Sequence, residues 1–201
     1  MSTELSLPEF ADPPADPVPL LRRWVDAAAA RGIELPAAVA LATADAEGRP
    51  SCRTVLVQHI RDNGLVIGTH TVSRKGRDLA DRPYASATFF WRETLQQIHV
   101  AGPVHVLPGT ESDALFAERA PVARAMAAAS RQSEPMPDEQ LLRARAAELA
   151  ADEPVERPLI WVGYRLAYQS IEFWHDEPDR LHRRLRYDRT GTGWTTVRLQ
   201  P

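Results

Sequence analysis

The chain has 201 residues, 24 of them basic and 27 acidic, a net charge of -3, and 44% hydrophobic against 25% charged side chains. That profile fits one soluble globular domain with a sizeable core; it excludes a disordered or fibrous chain and, lacking a cationic excess, argues against a general nucleic-acid or membrane-surface role. A single cysteine, Cys52, excludes an internal disulfide and a cysteine-based zinc site, and with neither a bilayer-length apolar run nor a signal-peptide pattern the expected location is the cytoplasm.

The first fifteen residues, with Pro8, Pro13 and Pro14 among acidic and small side chains, read as a flexible arm without structure of its own. Residues 16–201 read as a single domain, because neither a linker nor an internal repeat divides them. Asp16 stands as an N-cap before Pro17, and Leu20, Leu21, Trp24, Val25 and Ala28 follow at helical spacing until Gly32 ends the element. Beyond Pro36 the period changes to that of strands. AAVALATAD, SCRTVLVQHI and GLVIGTH are short β-branched runs separated by the turn signals AEGRP and RDNG.

SRKGRDLADRP predicts a short helix capped by Ser73, with Leu79 and Ala80 inward and Pro83 at its end. YASATFFW and QQIHVAGPVHVLP return to strand character. Helices are expected over 110–120 and 138–151, with ARAMAAAS between them, and four strands follow from RPLIWVGYRLAYQ to WTTVRLQP. Short antiparallel strands with helices inserted predict an α+β protein built on an antiparallel, Greek-key-like β-barrel.

Of the 24 basic residues, 23 are arginine, so Lys75 is the only lysine. It follows Ser73 and Arg74 in a first helical turn, where the backbone already carries partial positive charge. Two cations there make sense when an anion docks on the free N–H groups; a phosphate site is the favoured reading over two solvated charges. Arg53 shares a strand face with Val55 and Val57, and either snorkels at a barrel rim or reaches a buried anion. Gln96-Gln97 and Gln132-Ser133 offer amides suited to the edge of a flavin pyrimidine ring, or are ordinary surface glutamines. From Trp174 to Arg186 the chain is dense in cations, and Arg180 and His182, two apart in an extended segment, would point one way toward an anionic small molecule rather than a nucleic acid. Neither a metal-ligand spacing nor a Walker, Rossmann or Gly-x-Ser-x-Gly motif is present, so no metal is expected.

In order along the chain, Arg53-Thr54-Val55-Leu56, Ser73-Arg74-Lys75, Trp91 to Gln97, Ser130-Arg131-Gln132-Ser133, Ile171-Glu172-Phe173-Trp174 and Arg180-Leu181-His182 resemble the pyridoxamine-phosphate oxidase family of FMN-binding split barrels. The likeness runs from about Asp16 to Pro201 and implies a homodimer with FMN at the subunit interface. It implies that Arg53, Arg74 and Lys75 hold the FMN phosphate with Ser73 capping the turn. Thr54, Val55, Leu56, Gly68, Thr69, Gln97, Gln132, Ser133, Trp174 and Arg184 would complete the cofactor site. For the substrate it implies Gln58, Arg119, Ala123, Arg180 and His182, with Arg180 and His182 closest to the chemistry.

Three substrate positions depart from the vitamin-making members, which carry lysine in place of Gln58, tyrosine in place of Leu115 and serine in place of Ala123. Losing three grips on a phosphate dianion points away from pyridoxine phosphate. PADPVPLLRRW, FWRETLQQI, SRQSE and RLHRRLRYDRTGTGW are similar to a branch of the family that serves phenazine biosynthesis. The implied activity is oxidation of a reduced, carboxylated tricyclic phenazine precursor with O2 as acceptor. The alternatives are a pyridoxine/pyridoxamine 5'-phosphate oxidase with altered contacts, and a flavin or deazaflavin carrier without turnover.

Overall fold

The computed structural model describes residues 6–152 and 154–201. Helix α1 (Pro17–Ala30) starts where its cap requires: the Asp16 carboxylate accepts from the Val18 amide at 3.0 Å, and Pro17 occupies the first helical position, where an N–H would have had no partner. Its apolar stripe, Val18, Leu20, Leu21, Trp24, Val25 and Ala28, is buried. The segment before it is not a free arm. Pro8–Phe10 form a 3-10 turn, Phe10 is 3% exposed with its ring 6.2 Å from that of Trp24, and the Trp24 indole donates to the Glu9 carboxylate at 2.6 Å. Burial of Leu7, and of Phe10 against Trp24 of α1, overrides the proline-rich composition that suggested an arm. Of that expected arm, residues 1–5 lie outside the described residues.

Strands β1 (Ala38–Ala44), β2 (Pro50–Leu56), β3 (His59–Arg61) and β4 (Gly64–His70) follow as hairpins, then helix α2 (Arg74–Asp81) and strands β5 (Tyr84–Trp91) and β6 (Gln96–Val106). Helices α3 (Gly109–Ala117), α4 (Pro121–Ala129) and α5 (Glu139–Ala151) precede β7 (Trp161–Leu166), β8 (Ser170–His175), β9 (Arg183–Arg189) and β10 (Trp194–Arg198). On α2 the inward pair is Asp78 and Leu79; Ala80 is exposed, because Asp78 is drawn in by hydroxyls on β1 and β2.

All the strand pairings are antiparallel, in the order β10-β9-β8-β6-β5-β1-β2, with β7, β4 and β3 branching from β6. Strand β6 is the pivot. Residues 96–101 pair with β8, residues 104–106 with β7, and Gly102-Pro103 lie between the two registers. Pro103 has no N–H to offer the ladder, and a Cβ at Gly102 would sit 1.9 Å from the Ala167 carbonyl oxygen. The sheet therefore curls there into an antiparallel half-barrel, giving the α+β split barrel expected from the sequence. Its main core includes Phe89, Ile98, Ile171, Phe173, Leu185 and Tyr187; a second cluster of Val66, Leu107, Leu115, Phe116, Ala127 and Trp161 packs beneath α3 and α4.

Candidate active site

The start of α2 is built as its sequence demands. Ser73 is fully buried; its hydroxyl donates to the His70 carbonyl at 2.7 Å and accepts from the Gly76 amide at 3.2 Å. A Cβ at Gly76 would fall 2.4 Å from the Thr71 carbonyl oxygen, so only glycine lets the turn close on itself. Arg74 is exposed and its amide donates to the Ser133 hydroxyl at 3.2 Å, while Lys75 is buried at 7% exposure.

The Lys75 ammonium donates to the Gln132 side-chain oxygen at 2.8 Å, and the same oxygen accepts from the Thr69 hydroxyl at 2.8 Å. With an amide rather than a carboxylate as acceptor, burial and then the nearby Arg53 charge pull the Lys75 pKa from 10.5 to about 8. Arg53 donates to the Leu41 carbonyl and to the Thr43 and Ser51 hydroxyls, and lies 3.8 Å from the Asp78 carboxylate. Burial alone would raise Asp78, but the Thr43 and Ser51 hydroxyls with Arg74 and Arg53 outweigh it and hold the carboxyl below its usual range. Arg74 approaches Asp45 at 3.9 Å. Three cations thus face two carboxylates, which leaves the cradle net positive. Along β2, Arg53 and Val55 lie on the half-buried face, Thr54 and Leu56 on the exposed one.

Beside this cradle opens a cavity of about 330 Å³ lined by Gly68, Thr69, His70, Arg119, Ala123, Met126, Ala127, Ser130, Gln132 and Trp161. The Arg119 guanidinium lies 5.3 Å from the centroid of the Trp161 ring, its Nε is buried without a hydrogen-bond partner, and burial lowers its pKa. Gly68 is where the cavity floor needs glycine, since a Cβ there would lie 2.2 Å from the Trp161 ring. Gln58 touches the same corner: its side-chain oxygen is 2.8 Å from that Cβ position, and its amide donates to the Leu115 carbonyl at 3.4 Å. Leu115 itself is 2% exposed and belongs to the second apolar cluster.

A second group forms a row across three strands. Register pairs Gln97 of β6 with Trp174 of β8, and Trp174 with Arg184 of β9. Arg184 is fixed by the Glu172 carboxylate at 2.7 Å and the Gln200 carbonyl at 3.1 Å. The His182 ring sits 5.1 Å from Trp174; its Nδ1 accepts from the Glu177 amide at 3.1 Å and stands 3.1 Å from an Asp176 carboxylate oxygen. Arg180 departs from expectation. It lies in a bend at φ +67°, exposed, at the tip of a turn closed by its amide on the Glu177 carbonyl, so it and His182 do not project from one extended segment. Among the described residues no hydrogen bond, ion pair or ring contact joins this row to the cradle and cavity. His70, Trp161 and Asp78 carry no signal in the sequence, because their roles rest on contacts between distant segments.

The donor set fits FMN. A net-positive cradle with backbone N–H groups at a helix start matches a phosphate monoester. Arg53, Arg74 and Lys75 would hold the phosphate, and Thr69, Gln132 and Ser133 would border it.

Comparison with known proteins places this geometry. Residues 25–151 match the family model described as pyridoxamine 5'-phosphate oxidase, and residues 161–201 match the pyridoxine 5'-phosphate oxidase C-terminal dimerisation region. The chain is 45% identical to a dihydrophenazinedicarboxylate synthase of Burkholderia lata, over all of this chain and 95% of that one. It is 44% identical to a pyridoxine/pyridoxamine 5'-phosphate oxidase of Deinococcus deserti, over 95% and 92%. Its fold superposes on the crystal structure of PhzG from Burkholderia lata, solved in complex with tetrahydrophenazine-1-carboxylic acid, with a TM-score of 0.96, 44% identity and full coverage of both chains. The chain belongs to the pyridoxamine 5'-phosphate oxidase family.

Proposed function

We propose that the protein is an FMN-dependent oxidase of reduced phenazine carboxylates, using O2 as acceptor and acting as a homodimer. The observation that carries the reading is the charge inventory of the cavity. Arg119 is its one cation, with an unpartnered Nε over an indole ring; the polar side chains of Thr69, Ser130 and Gln132 in the lining are uncharged, as is the nearby Gln58 amide, and Ala123 and Leu115 have no polar side-chain atom. One guanidinium matches a carboxylate monoanion in bidentate fashion, whereas a phosphate dianion would be left underpaired. Trp161, Met126 and Ala127 suit the apolar faces of a fused ring.

FMN, when bound, supplies two-electron acceptance from the substrate and the reaction with O2 that yields hydrogen peroxide. This chain's residues do the holding. Arg53, Arg74 and Lys75 anchor the phosphate, and Arg119 orients the substrate carboxylate. The Trp161 wall excludes water. His182, its ring beside Trp174 and its Nδ1 held by the Glu177 amide and Asp176, orients the substrate or moves a proton; Arg180, at its exposed turn away from the cavity, pairs with a second, separate substrate carboxylate. Substrate aromatisation provides the driving force, so positioning carries most of the catalysis. The row Gln97–Trp174–Arg184 and His182 lies in the stretch matching a dimerisation region or in register with it, which supports a site completed by the second subunit.

A pyridoxine/pyridoxamine 5'-phosphate oxidase is the second reading, favoured by 44% identity to such an enzyme and by the retained Arg119, Arg180 and His182. Oxygen uptake by purified protein carrying an FMN spectrum separates the two. Freshly reduced phenazine-1-carboxylate is expected to turn over faster than pyridoxine phosphate; the opposite preference selects the second reading, and a protein that takes up no FMN refutes both.

A further inference from the structure

His70 is buried, 3% exposed, at the end of β4, and none of the roles assigned above uses its ring. It stands where three elements meet. Its carbonyl anchors the Ser73 cap of α2, and its ring Nδ1 accepts the Gln132 backbone amide at 3.1 Å. The Ala127 backbone in the last turn of α4 also faces the ring. A ring that accepts at Nδ1 carries its proton on Nε2; the imidazolium would lose the amide.

We infer that His70 is a positioning residue: in its neutral Nε2–H form it pins the loop after α4, and so sets the Gln132 oxygen where it receives Thr69 and Lys75. The inference rests on the functional reading above only for what the cradle binds. Burial holds the ring below its usual titration range, and the charged groups facing it add to that effect. These are Lys75 from α2, Arg119 beyond α3 and Arg131 beyond α4, all cations. The Ser73 cap bonds the backbone of residue 70, so exchanging the ring leaves the start of α2 intact and the consequence falls on Gln132.

The test uses full-length protein. Lys75 is the only lysine, so 13C-lysine labelling gives one resonance that reports its titration without any ligand. His70→Ala is expected to lower the Lys75 midpoint, because the ammonium loses its acceptor, and to weaken FMN binding about tenfold, the scale of one hydrogen bond to a charged group. His70→Asn, whose Oδ1 takes the place of Nδ1, is expected to restore both. In a Gln132→Ala background the His70→Ala change is expected to add nothing. An unchanged Lys75 midpoint, no rescue by asparagine, equal losses in both backgrounds, or a 15N spectrum with the proton on Nδ1 overturns the inference. Wild-type protein that takes up no FMN would overturn the functional reading instead, and the lysine and histidine resonances would still decide the role of His70.

Discussion

Replacing Lys75 by methionine is expected to make the ligand-free protein more stable and the cofactor site worse. The Lys75 pKa falls from 10.5 to about 8 on folding. At 1.36 kcal/mol per unit, keeping the ammonium charged inside the fold costs about 3 kcal/mol at pH 7. Methionine keeps the aliphatic stem and drops the charge, while the Gln132 oxygen keeps Thr69 as one of its two donors. Allowing about 1 kcal/mol for the lost hydrogen bond leaves a gain of roughly 2 kcal/mol, or about 4–8 °C in Tm for a chain of this length. The sign with pH follows from the lowered value. Between pH 8 and 10.5 the unfolded chain binds more protons at this group than the folded one, so the wild type gains stability as pH rises through that window. The advantage of methionine is therefore full below pH 8 and gone above 10.5.

The cofactor sees the reverse. An anionic phosphate raises the Lys75 pKa on binding, so wild-type FMN affinity is expected to be insensitive to pH through Lys75 below pH 8 and to weaken by up to about tenfold per pH unit above it. Lys75→Met is expected to lose about 10–100-fold in affinity at pH 7 and to lose that alkaline dependence, as read from quenching of flavin fluorescence. Differential scanning calorimetry of the ligand-free proteins gives the other half. A melting temperature at or below wild type at pH 7, or FMN affinity unchanged by the substitution, would refute the assignment of a desolvated ammonium kept for an anion.

Arg119→Gln is expected to raise KM for a reduced phenazine carboxylate about 10–100-fold with FMN affinity unchanged, and joint loss of flavin would place Arg119 in the cofactor site instead. Gly68→Ala drives a methyl to within 2.2 Å of the Trp161 ring, which is 2% exposed and packed edge-on against Phe116, so a loss of about 3 kcal/mol in urea unfolding is expected. Phe10→Ala, at a ring 3% exposed against Trp24, is expected to cost about 3–4 kcal/mol by the same measurement; a change under about 0.5 kcal/mol would return this segment to a free arm.

What the sequence made legible was local. The Asp16-Pro17 start of α1, the Ser73 cap of α2 and the hairpins around AEGRP and RDNG all depend on residues within one turn of each other, and the structure has them where the pattern puts them. Phe10 and the Lys75–Gln132 pair show the other side. A proline-rich stretch looks like an arm until Trp24 offers it a surface, and the acceptor of the only lysine lies 57 positions away. The extended reading of residues 180–182 failed for a different reason: alternation was assumed through a segment that turns, and a positive φ at a non-glycine residue leaves no mark in composition.

Substrate choice, too, is a matter of packing more than of single contacts. Leu115, which the resemblance sets against a tyrosine of the vitamin-making members, is 2% exposed and not an idle surface substitution. A Cβ on Gly163 of β7 would meet the Leu115 side chain at 2.9 Å and that of Leu107 at 2.7 Å, so the leucine is seated directly on glycine backbone in the cluster that includes Trp161. A tyrosine ring there would have to displace that cluster and find a partner for its hydroxyl, at a cost of about 1–3 kcal/mol for overpacking alone. Gln58→Lys and Ala123→Ser could restore two polar grips without touching the core; the third is closed off by how β7 and α3 meet. On the proposed reading, the preference against a phosphate dianion would be held by the same contacts that hold the second cluster together, and reversing it would require rebuilding that cluster from Leu107 to Trp161 rather than adding charge to the cavity surface.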